Sequence, residues 1–274
     1  MPLPSNYHAQ SLSDLLQAVL SAADDDLLVI DPDAETVEEL VAVATAGDED
    51  LPSIRVVAAE RVLKDVVDDF LVASNAADLI EAGTLSLRTD ETGGSNALFV
   101  SHEAVASLVA AGGRVAALST DDGAFVDVAY EEYRDRWADA EEFTLRTPPL
   151  SRVRDTLADG IGEETRDDFD AVLDSLRAAG DEGDELDEVT ISLLVAAKND
   201  VLLYDISKWG EDVGIASKAT FSRTKTRLED LGLIDTEKVP IDVGRPRLRL
   251  KLGDEDLLNA DTTDLAAVAR EKLA

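Results

Sequence analysis

From Ser217 to Arg227 the sequence reads SKATFSRTKTR. At helical spacing Phe221, Thr224, Leu228 and Leu231 form one apolar stripe, and Lys218, Thr220, Ser222, Arg223, Thr226 and Arg227 fall opposite it. Hydroxyls and cations on one helix face can hydrogen-bond base edges in a major groove and hold the phosphates beside it. A second basic group follows at Arg245, Arg247 and Arg249, where strand alternation puts every other residue on a shared face. From Lys218 to Lys251 the chain carries nine bases against five acids, net +4, although its overall charge is −34.

The flanking sequence supplies elements to position these groups. DEVTISLLVAAK (187–198) has a helical apolar face, acids at its start and Lys198 at its end, as the helix dipole favours. LLYDISKWGEDVGI reads as a second helix with Trp209 and Val213 paired, closed by Gly214-Ile215. Ser217 or Thr220 can cap the third helix, which Gly232 stops. LIDTEKV and PRLRLKL then alternate as two strands joined by the Pro240–Gly244 turn. This order predicts a winged helix-turn-helix, and Gly210, four residues before Gly214, marks where the second and third helices cross closely. The expected DNA contacts are Ser217, Lys218, Thr220, Ser222, Arg223, Thr226 and Arg227, with Arg245 and Arg247 on the wing touching phosphate or minor groove. A solvated basic face beside an ordinary hairpin would not require this ordered set of glycines, stripe and basic wing.

IASKATFSRTKTRLEDLGLIDTEKVPIDVGRPRLRL resembles the carboxy-terminal winged helix of the haloarchaeal TbsP-type transcriptional regulators. SAADDDLLVIDPDAET, LKDVVDDFLVASNAADLIEAGTLSLRT and DEVTISLLVAAKNDVLLYDISKWGEDVG resemble the same family, so the likeness spans nearly the whole chain. The resemblance implies sequence-specific promoter binding in control of central carbon metabolism, alongside TrmB-type sugar-responsive regulators. Compared with generic winged helices, the turn from Gly214 to Phe221 is one residue longer, and Lys225 stands where an apolar residue is common.

Composition bounds the rest. The 274 residues hold 59 acids and 25 bases, and residues 1–186 alone carry net −30. Periodic apolar residues, 45% of the chain, argue for folding rather than acidic disorder. Dense carboxylates suit a cytoplasm of molar salt, where a Debye length of about 3 Å screens self-repulsion, so the expected source is an extreme halophile. Without cysteine there is no disulfide or thiolate metal site, and His8 and His102 stand alone. No run approaches a transmembrane span and no signal peptide is apparent, which implies a soluble cytoplasmic protein with no membrane partner.

The amino-terminal half alternates strands (DLLVI, IRVVA, TLSLRT, ALFVS, RVAALST) with helices, one of them expected at 102–111. The pattern predicts an α/β domain over 1–145 with a mostly parallel sheet and room for one hairpin. A helical linker (146–184), a winged helix (185–253) and an acidic tail (254–274) are expected to follow. Asp31 and Asp33 in VIDPDAET offer an alternative, a haloacid-dehalogenase-like phosphohydrolase fused to a DNA-binding module, but Glu35 departs from that signature. No Walker loop, G-x-G-x-x-G or G-x-S-x-G occurs, so no catalytic residue, cofactor or metal ligand is expected. By fold analogy a small metabolite effector would sit beyond the strand ends near Asp31, Ala58–Glu60 and Ser119–Asp122; a purely structural dimer platform is the equal alternative. A homodimer held by this domain and the Leu150–Leu176 helices would match two operator half-sites.

Overall fold

The computed structural model describes residues 5–47, 51–91, 94, 96–179, 186–240 and 246–273. The chain divides into two compact units, residues 1–145 and 146–274. The first unit runs β1 (Asn6–Ala9), α1 (Leu12–Ala22), β2 (Asp26–Ile30), α2 (Ala34–Ala46), β3 (Ser53–Ala58), α3 (Glu60–Asp68) and α4 (Phe70–Glu81). It continues with β4 (Leu85–Thr89), β5 (Leu98–Val100), β6 (Val105–Ala111), β7 (Arg114–Thr120), α5 (Gly123–Asp139) and β8 (Glu141–Glu142). Its eight strands form one sheet ordered β1-β7-β6-β5-β2-β3-β4-β8.

Only β2–β3 and β3–β4 are parallel; every other neighbouring pair is antiparallel. The expected mostly parallel sheet is thus corrected to a mixed, mostly antiparallel one. The expected helix at 102–111 is strand β6 instead. Gly112 and Gly113 decide this, because both have positive φ, +59° and +74°. Two such residues make the hairpin turn whose twist matches the strands, pairing Ala111 with Arg114 and folding β7 straight back on β6. No helix separates β5, β6 and β7, so nothing can carry the chain back for a parallel pairing. β1, unforeseen as a strand, adds to the edge of β7.

Alternation divides the core into two layers. Leu27, Val29, Ile54, Val56 and Phe99 point to the face covered by α1–α4, and Leu28, Ile30, Val57 and Val100 to the face under α5. Three aspartates start helices in this unit. Asp33, Asp69 and Asp122 accept the N–H groups of Thr36, Val72 and Phe125 at 2.9, 2.9 and 3.0 Å, satisfying donors that a helix leaves open.

The second unit consists of α6 (Leu150–Gly160), α7 (Glu163–Ala179), α8 (Glu188–Lys198), α9 (Leu203–Val213), α10 (Lys218–Asp230) and the hairpin β9 (Ile234–Val239) and β10 (Arg247–Leu252). Two short helices close it, α11 (Glu255–Asn259) and α12 (Leu265–Leu273), with a 3-10 turn between them. Leu150, Val153 and Leu157 of α6 and Phe169, Val172 and Leu173 of α7 are buried within this unit, α6 against α7 and α9. That apolar face is consumed internally. The Asp168 carboxylate binds Lys198 Nζ at 2.8 Å, Asn199 Nδ2 at 2.7 Å and the Thr262 hydroxyl at 2.8 Å, tying α7, α8 and the tail together. Among the described residues no helix is long and apolar enough to cross a membrane.

One buried polar pair joins α5 to β2. The Tyr130 hydroxyl donates to Asp26 Oδ2 at 2.5 Å, and Arg55 Nε lies 3.1 Å from the other oxygen. Burial, reinforced by the Asp26 carboxylate, pushes the Tyr130 phenol up to about 12. The unfolded phenol ionises near 10, so the stabilising effect is complete below that pH and is lost as pH rises toward 12. Chemical denaturation across this range should show stability falling for the wild type, whereas Tyr130→Phe should be less stable at neutral pH and show a shallower alkaline decline, since burial raises Tyr133 as well.

Candidate nucleic-acid interface

Three helices and a hairpin position the basic groups. Leu193 and Val195 of α8, Ile206 and Trp209 of α9, Phe221 and Leu228 of α10, and Leu250 of β10 are all buried. Val201 and Leu202, just before α9, bond to β10: Leu250 N–H donates to the Val201 carbonyl at 2.9 Å, and Leu202 bridges Arg249. The wing is thereby anchored to the base of α9.

The turn follows from two glycines. Gly214, with φ +98°, caps α9 in the left-handed region, and the Gly210 carbonyl accepts from Gly214, Ile215 and Ala216 N–H at 3.2, 2.8 and 3.3 Å. A Cβ on Gly210 would come within 2.3 Å of two carbons at the edge of the Phe221 ring, so only glycine lets α10 lie this close. Ser217 then caps α10, its Oγ accepting the Thr220 N–H at 3.2 Å.

Burial of Phe221 and Leu228 turns the opposite side of α10 outward: Ser222, Arg223, Thr226 and Arg227 are exposed, and Lys218 and Thr220 half-buried. The sequence stripe needs one correction. Leu231 is 47% exposed because α10 stops at Asp230, and Leu233, beyond Gly232, takes the buried place. Lys225, at a position usually apolar, lies against Glu229 at 2.5 Å, and Glu229 also accepts the Thr236 hydroxyl at 2.7 Å.

The candidate contacts divide by their existing partners. Ser217 is committed to the cap, and Thr226 donates to the Ser222 carbonyl at 3.0 Å. Lys218 pairs with Glu211, a contact that raises the lysine pKa and lowers the glutamate's. Arg223 reaches only the Thr220 hydroxyl, at 3.4 Å; among the described residues neither Arg223 nor Arg227 pairs with a carboxylate. On the wing, Arg247 stacks over the Tyr204 ring at 4.3 Å and reaches Asp205 at 3.3 Å. Arg245, with most of the Pro240–Gly244 turn, lies outside the described residues.

One residue outside the expected contacts packs against the wing. Tyr204, 47% exposed, braces Arg247 from a position 43 residues earlier, a relation with no local signature. Lys238 is exposed on β9 opposite Leu248, on the hairpin face turned away from Arg247 and Arg249.

The amino-terminal candidates resolve differently. Asp33 is the cap of α2. Asp31, with φ +52°, is gripped by Arg136 at 2.6 and 3.0 Å, and the same guanidinium holds Asp90 at 2.6 and 3.0 Å. This clamp lies at the carboxyl ends of β2 and β4. Ser119–Asp122 does not join it: β7 runs opposite to β2, which puts its end at the other edge of the sheet. Among the described residues no cluster of side chains could hold a metal ion.

Comparison with protein families matches residues 149–270 to the carboxy-terminal HTH domain of TbsP-like transcriptional regulators, and residues 4–148 to the amino-terminal domain of the same family. Comparison with curated proteins returned no match. Among solved structures, TrmBL2, described as an archaeal chromatin protein with a novel mode of DNA binding, is 13% identical with a TM-score of 0.36. That likeness covers 52% of this chain and 55% of TrmBL2, so the chain spans little more than half of that relative. Nuc, a phospholipase D family member from Salmonella typhimurium, is also 13% identical, with a TM-score of 0.35 over 50% of this chain and 95% of Nuc. Both likenesses are too slight to bear on function.

The Gly210–Phe221 contact yields a direct test. Gly210→Ala should force the Phe221 ring off its seat and destabilise the second unit by about 1–3 kcal/mol, read by chemical denaturation in molar KCl.

Proposed function

This chain belongs to the TbsP-like transcriptional regulators, and from that premise we propose that it binds double-stranded promoter DNA sequence-specifically, with α10 in the major groove and the β9–β10 wing beside it. The observation that carries the reading is the state of Arg223 and Arg227. In a chain with 59 acids, where Arg136, Lys198 and Lys272 each lie against carboxylates, these two cations have no acidic partner among the described residues and stand on the exposed side of α10. Guanidinium groups left free on a capped, well-buttressed helix are poised for bidentate contact with guanine. Ser222 and Thr220 flank them, Lys218 and Arg247 (with Arg245, from sequence) hold phosphates, Ser217 caps the helix, and Thr226 lies between Arg223 and Arg227 on the exposed side.

The proposed targets are genes of central carbon metabolism in a halophilic archaeon, which rests on the family resemblance and the acidic composition. We read the protein as non-enzymatic, because Asp33 is spent on a helix cap and Asp31 on the Arg136 clamp. A homodimer matching two half-sites completes the proposal. For a metabolite effector, the carboxyl edge of β2, β3 and β4 is the place sheet geometry favours.

Arg223→Ala should cost about 1–3 kcal/mol on the specific site and relax its sequence preference. Arg247→Ala should instead weaken binding to all sequences alike and reduce the salt slope by about one. Titration of labelled duplexes in molar KCl separates the two, and unchanged affinity for Arg223→Ala removes α10 as the reader. Chromatin immunoprecipitation with sequencing, with and without sugar, tests the targets; enrichment away from carbon-metabolism promoters would overturn that part.

A further inference from the structure

The longest stretch of the chain without a single acid is not the DNA-reading helix. It is Ala104–Thr120, seventeen residues, followed by the sixteen of Val213–Leu228 and the thirteen that begin the sequence. The second covers the turn and α10. The first and third come together in space, since β1 pairs with β7 and β7 with β6 at one end of the sheet.

Among the described residues, helices cover this end of the sheet on one side only. Tyr7, Ala9, Val115, Ala117 and Leu108 point into the core beneath α1. The opposite side carries cross-strand rows Asn6–Leu118–Ser107 and His8–Ala116–Val109, and α5 packs on β2 and β5 rather than here. Leu118 is 52% exposed and Val109 37%. Phe125 and Val128, on the outward side of α5 in the same layer, are 55% and 64% exposed. Four of the chain's few exposed large apolar residues thus lie in one layer of a domain otherwise covered with carboxylates.

We infer that this face of β1, β7 and β6 is the contact with a second copy of the chain. The inference rests on the homodimer proposed above and names its surface. Charge selects the occupant: a two-fold interface sets a patch against itself, and elsewhere on this unit that would press like charges together without water. Shape agrees, because Leu118 stands beside the small Ala116, a ridge next to a hollow that a rotated copy can fill. Size sets the strength. Two seven-residue strands and the four residues of β1 span at most roughly 14 by 23 Å, under about 300 Å², well below the ~800 Å² per partner of a standard interface. A contact this small is weak, and one introduced carboxylate should suffice to break it.

Light scattering of the full chain at micromolar concentration in molar KCl provides the test. The wild type should be a dimer, Leu118→Asp and Val109→Asp monomers with near-native melting temperature, and Leu258→Asp, more exposed still but in the other unit, a dimer. On a duplex with two half-sites Leu118→Asp should lose on the order of 100-fold in affinity, while its affinity for a single half-site stays unchanged. A folded Leu118→Asp that remains dimeric overturns this face and leaves the regulator reading intact; Val109→Asp decides if Leu118→Asp does not fold. A monomeric wild type that binds its operator as one copy overturns the dimer with it.

Discussion

The ring of Phe221 rests on the bare backbone of Gly210, and the geometry of the DNA-binding unit follows from that contact. It sets how closely α10 approaches α9, and so how the four-residue turn from Gly214 to Ser217 must close. Three N–H groups converge on the Gly210 carbonyl because the helices are near enough for the chain to reverse within its reach. With Phe221 seated, the helical period alone carries Arg223 and Arg227 to the outer side. The exposed polar side of α10 is thus fixed by the packing on its opposite side, and its residues need no mutual contacts to hold it.

Local features were legible in the sequence, and this unit is built largely from them. Glycine placement, the Phe221–Leu228 spacing and the Ser217 cap all act within a few residues, so their periodicity carries the information. The sheet was harder because direction is a property of pairings distant in sequence. AVASLVAA has apolar residues at intervals that serve a strand or a helix equally, and only the conformations of Gly112 and Gly113 separate the two readings. Leu231 misleads for a related reason: it continues the stripe by one turn, yet the helix ends first. The brace of Tyr204 on Arg247 joins residues with no shared pattern and becomes visible only in three dimensions.

Acidity also has a local side. Carboxylates of Asp33, Asp69, Asp122, Asp187 and Asp254 accept amide protons at helix starts, where charge and dipole agree. In so acidic a chain an Asp-x-Asp after a buried strand is therefore a poor guide to catalysis. The second Asp of VIDPDAET is doing what aspartates do at other helix starts of this protein, and the first is neutralised by Arg136.

The pairing of β1 with β7 has a consequence for biosynthesis. Asn6–Ala9 finds its partners at Val115–Leu118, more than 100 residues later. At roughly 5–20 residues per second of translation, β1 waits on the order of 5–20 s on the ribosome before β7 exists to receive it. During that interval Tyr7 and Ala9 have no core to enter, and β2, β3 and β4 can already assemble. Strand β1 is thus placed long after it is made, and the sheet gains its β1 edge only once the β6–β7 hairpin has cleared the exit tunnel.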